Sequence, residues 1–139
     1  MAPGRPDHGV RVVTARVPYE YVVLRCVPRV DREEFVNVGV VLHCRDADVL
    51  ACTGHVDAGR LAALWPDLDA AAVGDAIARA QAVCDGDARV GAVAGESRSI
   101  RFGFLKAPRS TVVQPGPVHG GTTTDPAAEL RLLADRLLR

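Results

Sequence analysis

Between Tyr19 and Val56 the apolar residues fall into three short bursts separated by charged turns, a pattern that predicts β-strands rather than helices. The first burst, Tyr19–Val27 (YEYVVLRCV), is β-branched and aromatic, with apolar residues on both parities near its middle. It reads as a central strand covered on most of both faces. Pro28 ends it. Asp31 and Glu34 have the spacing of a capping pair and predict one helical turn. In the second burst, Phe35–Cys44 (FVNVGVVLHC), Val36, Val38, Val40 and Leu42 form an unbroken apolar face expected to meet the helices. Asn37 and Gly39 interrupt the other face and mark a bulge or a close backbone approach. Arg45-Asp46-Ala47-Asp48 supplies a turn, and Val49–Val56 returns as a third strand. Only seven residues (28–34) join the first two strands, too few for a parallel crossover, so the pair is expected to be antiparallel.

After Val56 the period changes. Asp57 caps a short helix through Leu64 and Trp65 that Pro66 closes. Asp67 or Asp69 then opens the main helix, running to about Cys84. Leu68, Ala72, Val73, Ala76, Ile77, Ala80 and Val83 form its buried stripe, and Gly86 stands at its end. Residues 88–98 are rich in Gly and Ala and read as a loop. Ser99–Leu105 (SIRFGFL) alternates polar and apolar and predicts a fourth strand, with a short continuation over 111–113 and an irregular stretch over 114–117. Asp125 caps a last helix with Pro126 at its first position and Leu130, Leu133 and Leu137 along one face. Strands first and helices between and after them predict an α+β domain: a small antiparallel or mixed sheet of about four strands, with helices packed on one face. Residues 1–17 read as a flexible leader in which Val10–Val17 can extend as an edge strand, and 18–139 as a single domain.

Composition narrows the function more than it defines it. The 139 residues are 48% hydrophobic, enough for a real core, but only 4% aromatic, so Val, Leu and Ala must build it. Seventeen basic residues balance seventeen acidic ones. That balance argues against a general nucleic-acid binder, whose affinity comes largely from neutralised phosphates. No run is long and apolar enough for a membrane span, and the N-terminus lacks the apolar core of a secretory signal, so a cytoplasmic location is expected. Cys26, Cys44, Cys52 and Cys84 form no CxxC pair and read as small buried hydrophobes rather than metal ligands.

Three polar segments carry candidate chemistry. In Lys106–Thr111 the bend at Pro108 sets Arg109 at a sheet rim, followed by Ser110 and Thr111. A guanidinium with flanking hydroxyls there can hold a carboxylate or phosphate bidentately, and Arg109 is the residue expected to touch a partner or anionic ligand. Arg101, with Arg25, is expected on the same sheet surface. The plainer alternative pairs these arginines internally with Glu20, Glu33, Glu34 or Glu129. Gly120–Pro126 resembles an anion loop, but Asp125 makes it an ordinary helix cap. Glu33 and Glu34 beside Asn37 read as a solvated turn rather than a Mg²⁺ site. His43, His55 and His119 stand at no triad or ligand spacing, and Ser110 lacks a nucleophile elbow. No catalytic residue, metal site or cofactor is therefore assigned.

The stretches YEYVVLRCVPRVDREEFVNVGVVLHC and RFGFLKAPRSTVVQPGPVHGG, with DPAAEL opening the last helix, resemble the DUF3037 family, small bacterial and mostly actinobacterial proteins. The resemblance runs from about Tyr19 to the C-terminus. A bulkier residue is expected at Gly103 and a small polar one at Gly116. The resemblance brings no activity and so no catalytic residue. It implies a partner by gene neighbourhood, a HipA-like kinase of the Ser/Thr-kinase fold. The expected function is a non-enzymatic accessory or interaction protein. The alternative is a small anion-binding or catalytic domain using Arg101, Arg109 and Ser110.

Overall fold

The computed structural model describes residues 15–139. The first three strands, β1 (Val17–Cys26), β2 (Val36–Cys44) and β3 (Val49–Gly54), form an antiparallel meander with β1 paired to β2 as expected. Two short strands, β4 (Val113–Pro115) and β5 (His119–Thr123), both run antiparallel along the other side of β1. They amount to one edge strand broken at Gly116-Pro117-Val118. The helices are α1 (Ala58–Leu64), α2 (Ala70–Asp85), α3 (Arg98–Lys106) and α4 (Pro126–Leu138). The domain is α+β with an antiparallel sheet. Of the expected leader, residues 1–14 and the proposed strand they begin lie outside the described residues. Val17 already belongs to β1, and Arg16 donates from Nε to the Thr122 hydroxyl at 2.9 Å.

The caps explain where the helices start. Asp57 accepts the Arg60 N–H, Asp69 those of Ala71 and Ala72, and Asp125 that of Ala128, each meeting a donor that the first turn leaves open. Gly86, at φ 68°, ends α2 in the left-handed region.

The sheet is covered on both faces, not one. Val22, Leu24 and Cys26 of β1 pack with α2 and α3, whereas Tyr19 packs with Leu130, Leu133 and Ala134 of α4. Strand β2 serves both sides through a bulge. Leu24 pairs with Gly39 but Arg25 pairs with Asn37, so Val38 is an extra residue. This corrects the expected single face of Val36, Val38, Val40 and Leu42. Val36 and Val38 join the α2 side, while Val40, Leu42 and Cys44 join α4. The bulge suspected at Asn37 and Gly39 is the cause. Gly39 also provides a close approach: it lies opposite Gly54 in the ladder, and both face Ile77 of α2. A Cβ at Gly39 would stand 2.9 Å from Ile77 Cδ1, and one at Gly54 would stand 2.4 Å from Ile77 Cγ2. The paired glycines form a notch that seats the helix.

Three further expectations are corrected. Ser99–Leu105 is not a strand but most of α3. Its apolar positions satisfy period 2, yet Phe102 and Leu105 are three apart and both are buried, as one helical face requires. The Ser97 hydroxyl decides it by accepting the Ile100 N–H at 3.2 Å. Residues 120–123, read as the approach to a helix, belong to β5, where Gly121 lies against the Tyr19 ring. The loop read over 88–98 contains two 3₁₀ turns, Ala88–Val90 and Ala92–Gly95, and then the start of α3.

Candidate functional site

An apolar groove of about 510 Å³ opens between α2, the end of α3 and the β1–β4 edge. Leu24, Val73, Ala76, Ala80, Leu105 and Val113 contribute to its lining, and Trp65, Arg79, Phe104, Arg109 and Thr111 also border it. The Ala72, Ala76 and Ala80 steps on α2 make the groove possible, because methyl groups along one helix face leave room above them. Arg109 is exposed at the groove, its guanidinium 5.1 Å from the centre of the Phe104 ring. It also donates from Nη2 to the Phe104 carbonyl. Among the described residues it makes no salt bridge: Glu34 is taken by Arg32, and Glu129 accepts from Tyr19. Thr111 uses its hydroxyl on the Val113 carbonyl at 2.8 Å, and Gln114 donates to the Thr111 carbonyl, so both stiffen the loop. Ser110 is exposed and does not line the groove.

Arg101 is elsewhere. On a helix rather than a strand, it shares no sheet surface with Arg25. Its Nη1 donates to the Glu96 carbonyl at 2.6 Å and its Nη2 to the Cys84 carbonyl at 3.2 Å, tying α3 to the end of α2. Its Nε is buried without a partner. Arg25 lies 4.0 Å over the Phe35 ring, and its Nε is likewise unpaired.

The cleft that Arg101 borders is polar and has a volume of about 740 Å³. His43, Arg45, Ser97, Arg98 and Ser99 line it together with Asp48, Asp85 and Glu96. His43 is 9% exposed, with its ring 5.1 Å from that of Phe102. Burial pushes its pKa below the ordinary value. Glu20, its cross-strand partner, pulls the other way, and Lys106, Arg45 and Arg98 add to the lowering. No hydrogen bond joins His43 to Ser99 or Glu20 among the described residues, so the three do not make a nucleophilic triad. Burial leaves the thiols of Cys52 and Cys84 unactivated: it pushes Cys52 up to about 12 and raises Cys84 as well, where Cys52 and Asp85 add to the effect. Among the described residues no group of three or more His, Cys, Asp or Glu is placed to hold a metal ion, and no helix is long and apolar enough to cross a membrane.

A family model described as a protein of unknown function, DUF3037, matches residues 21–138, nearly the whole chain. The chain belongs to the DUF3037 family. No curated protein and no solved structure matches it. In this DUF3037 domain two of the four residues expected to form a site, Arg109 and Thr111, come together at the apolar groove. Arg101 borders the other cleft, and Ser110 borders neither. Two features escaped sequence reasoning. Of the α2 alanines expected in the buried stripe, Ala80 is buried, but Ala72 is exposed and Ala76 half-buried along the groove. His43, which stands at no triad or ligand spacing in the sequence, meets Ser97–Ser99 only because these residues start helix α3 instead of lying on a loop and a strand.

Proposed function

We propose that this DUF3037 protein is a non-enzymatic interaction protein whose partner docks in the apolar groove beside Arg109. The observation that supports this reading is the groove itself: an open apolar surface with an exposed, only partly engaged guanidinium at its margin. Arg79 stands on the same groove. Of the two nearby acids, Asp69 is occupied as the cap of α2. The chemistry favours a partner segment with small or branched apolar side chains and one carboxylate to meet Arg109. A HipA-like kinase, the partner implied by the family resemblance, is the first to test, and a cytoplasmic location is part of the same proposal.

The experiment is a calorimetric titration of the purified kinase with the native chain, Arg109→Ala and Ala76→Arg. Arg109→Ala should weaken binding about tenfold or more while leaving Tm nearly unchanged, since Arg109 is exposed and without a salt bridge. Ala76→Arg should fill the groove and abolish binding. A variant pair that binds as well as the native chain would remove the groove from the reading. Loss of stability with full affinity in Arg109→Ala would make that residue a brace for α3 and nothing more.

A further inference from the structure

Arg25 lies on the α4 side of the sheet, away from the groove. It pairs in the ladder with Asn37 on one side and Gln114 on the other. Asn37 donates to the Leu137 carbonyl of α4, so this row of the sheet faces α4, whereas Leu24 beside it lines the groove. The guanidinium is held by its faces. A Cβ at Gly116 would stand 2.8 Å from its Nη2, 3.0 Å from Cζ and 3.2 Å from Nε, so the glycine lets the plane lie flat on the chain. The Phe35 ring, 44% exposed, packs against it with its centre 4.0 Å from Cζ. Such packing leaves hydrogen bonding to the edge of the plane, where the Nε–H is buried and has no partner.

The missing partner is an acid. Glu20 acts on His43 from the opposite face, Glu34 pairs with Arg32, and Glu129 accepts from Tyr19. No salt bridge among the described residues joins Arg25 to Glu33. The last carbonyls of α4 are also taken, Leu137 by Asn37 at 3.1 Å and Leu138 by Arg60 at 3.4 Å. A half-buried cation with an unpaired donor is costly to keep unless a carboxylate from outside the chain completes it. We infer that Arg25 and Phe35 form a second docking surface, which takes an acidic segment of a partner protein. A Glu or Asp carboxylate of that segment meets the edge of Arg25, and an apolar side chain beside it covers Phe35. The two carboxylate oxygens match the Nε and Nη donors of one edge, a fit that lysine cannot give. The exposed ring asks for apolar cover, which a free anion lacks, and an arginine beside an aromatic ring is a common interface anchor. This face and the groove lie on opposite sides of the sheet, so one domain can hold two segments at once.

The test is an NMR titration of the whole chain with the peptide acetyl-Glu-Phe-Glu-amide, with acetyl-Gln-Phe-Gln-amide and with sodium acetate, all at equal ionic strength. Saturable shifts of the Arg25 Nε–H and of the Phe35 and Asn37 amides are expected with the acidic peptide alone. Arg25→Lys should weaken binding about tenfold or more, because the bidentate edge is lost. Gly116→Ala should also weaken it and keep the fold, because the new Cβ displaces only the flexible end of the Arg25 side chain. Arg25→Met should abolish binding without lowering Tm, since the apolar stem stays and the unpaired charge goes. If Arg25→Met fails to fold, Arg25→Lys and Gly116→Ala decide. Ala76→Arg, which fills the groove, should leave this binding unchanged, so the two surfaces stand or fall separately. Linear or absent shifts with the acidic peptide, equal binding of the glutamine peptide, or equal shifts with acetate would overturn the inference. An Arg25 Nε–H shift that follows protein concentration alone would overturn it in favour of a second copy of this chain. Peptide binding that survives Arg25→Met while Tm falls would make Arg25 a brace for Phe35 and nothing more.

Discussion

Replacing Gly54 by Ala tests the helix notch most sharply. The added Cβ would stand 2.4 Å from Ile77 Cγ2 and 3.1 Å from the Val38 carbonyl oxygen. Carbon atoms in contact prefer about 3.5–4.0 Å, so roughly an ångström of movement is required. Ile77 is buried and β-branched, and its χ1 has one strongly preferred rotamer in a helix, so Cγ2 cannot swing aside cheaply. The backbone of α2 must lift instead. Overpacking of this kind costs about 1–3 kcal/mol, and the short contact puts Gly54→Ala near the top of that range. For a domain of this size the loss corresponds to a fall in Tm of roughly 6–15 °C. Urea denaturation monitored by circular dichroism measures it directly. Ile77→Ala alone should cost about 2–5 kcal/mol. In the double variant the two changes relieve each other, so its loss should fall short of the sum by about 1 kcal/mol or more. Strict additivity, or a Gly54→Ala protein as stable as the native one, would refute the packing argument.

Other positions give independent checks. Gly103 lies inside α3, and a Cβ there would meet nothing within 4 Å, so Gly103→Ala should raise stability by about 0.5–1 kcal/mol in the same denaturation assay. Asp87 has its pKa held down to about 2, first by the side-chain hydrogen bond from Arg89 and then by the Arg89 N–H. The folded form therefore binds this proton less readily than the unfolded chain, whose value is near 3.8. Its contribution is complete above pH 3.8 and is lost as pH falls to about 2. A plot of Tm against pH should be shallower over that acid window in Asp87→Asn, and an unchanged slope would contradict the assignment.

The strands of the meander, α2 with its Asp69 cap and Gly86 stop, and α4 with Asp125 and Pro126 were legible because each carries its own boundary chemistry. The misreading of Ser99–Leu105 has a definite source. Seven residues are too short for apolar spacing to separate period 2 from period 3.6, and the deciding Ser97 cap lay just outside the window. The bulge at Val38 was suspected from Asn37 and Gly39, but which side of it each valine would face depends on pairing with β1, a long-range property. The candidate site shows the same division. The bend at Pro108 that exposes Arg109 is a local feature, but it follows the end of helix α3 and not, as expected, a strand at a sheet rim. The cleft around His43 depends on α3 lying against β2, which no local pattern encodes.

The placement of β1 ties completion of the fold to the order of synthesis. Val17 pairs with Thr123, and the second face of the sheet is covered by α4, so residues near the two ends of the domain must meet before either is finished. As the chain emerges, the meander and α2 have their partners early. The outer side of β1 and the apolar row of Val40, Leu42 and Cys44 stay bare until residues 113–138 have been made. Such late, non-local closure slows folding and leaves a sticky intermediate on the ribosome. A nascent chain stalled before β4 should therefore attract chaperones that the completed domain does not.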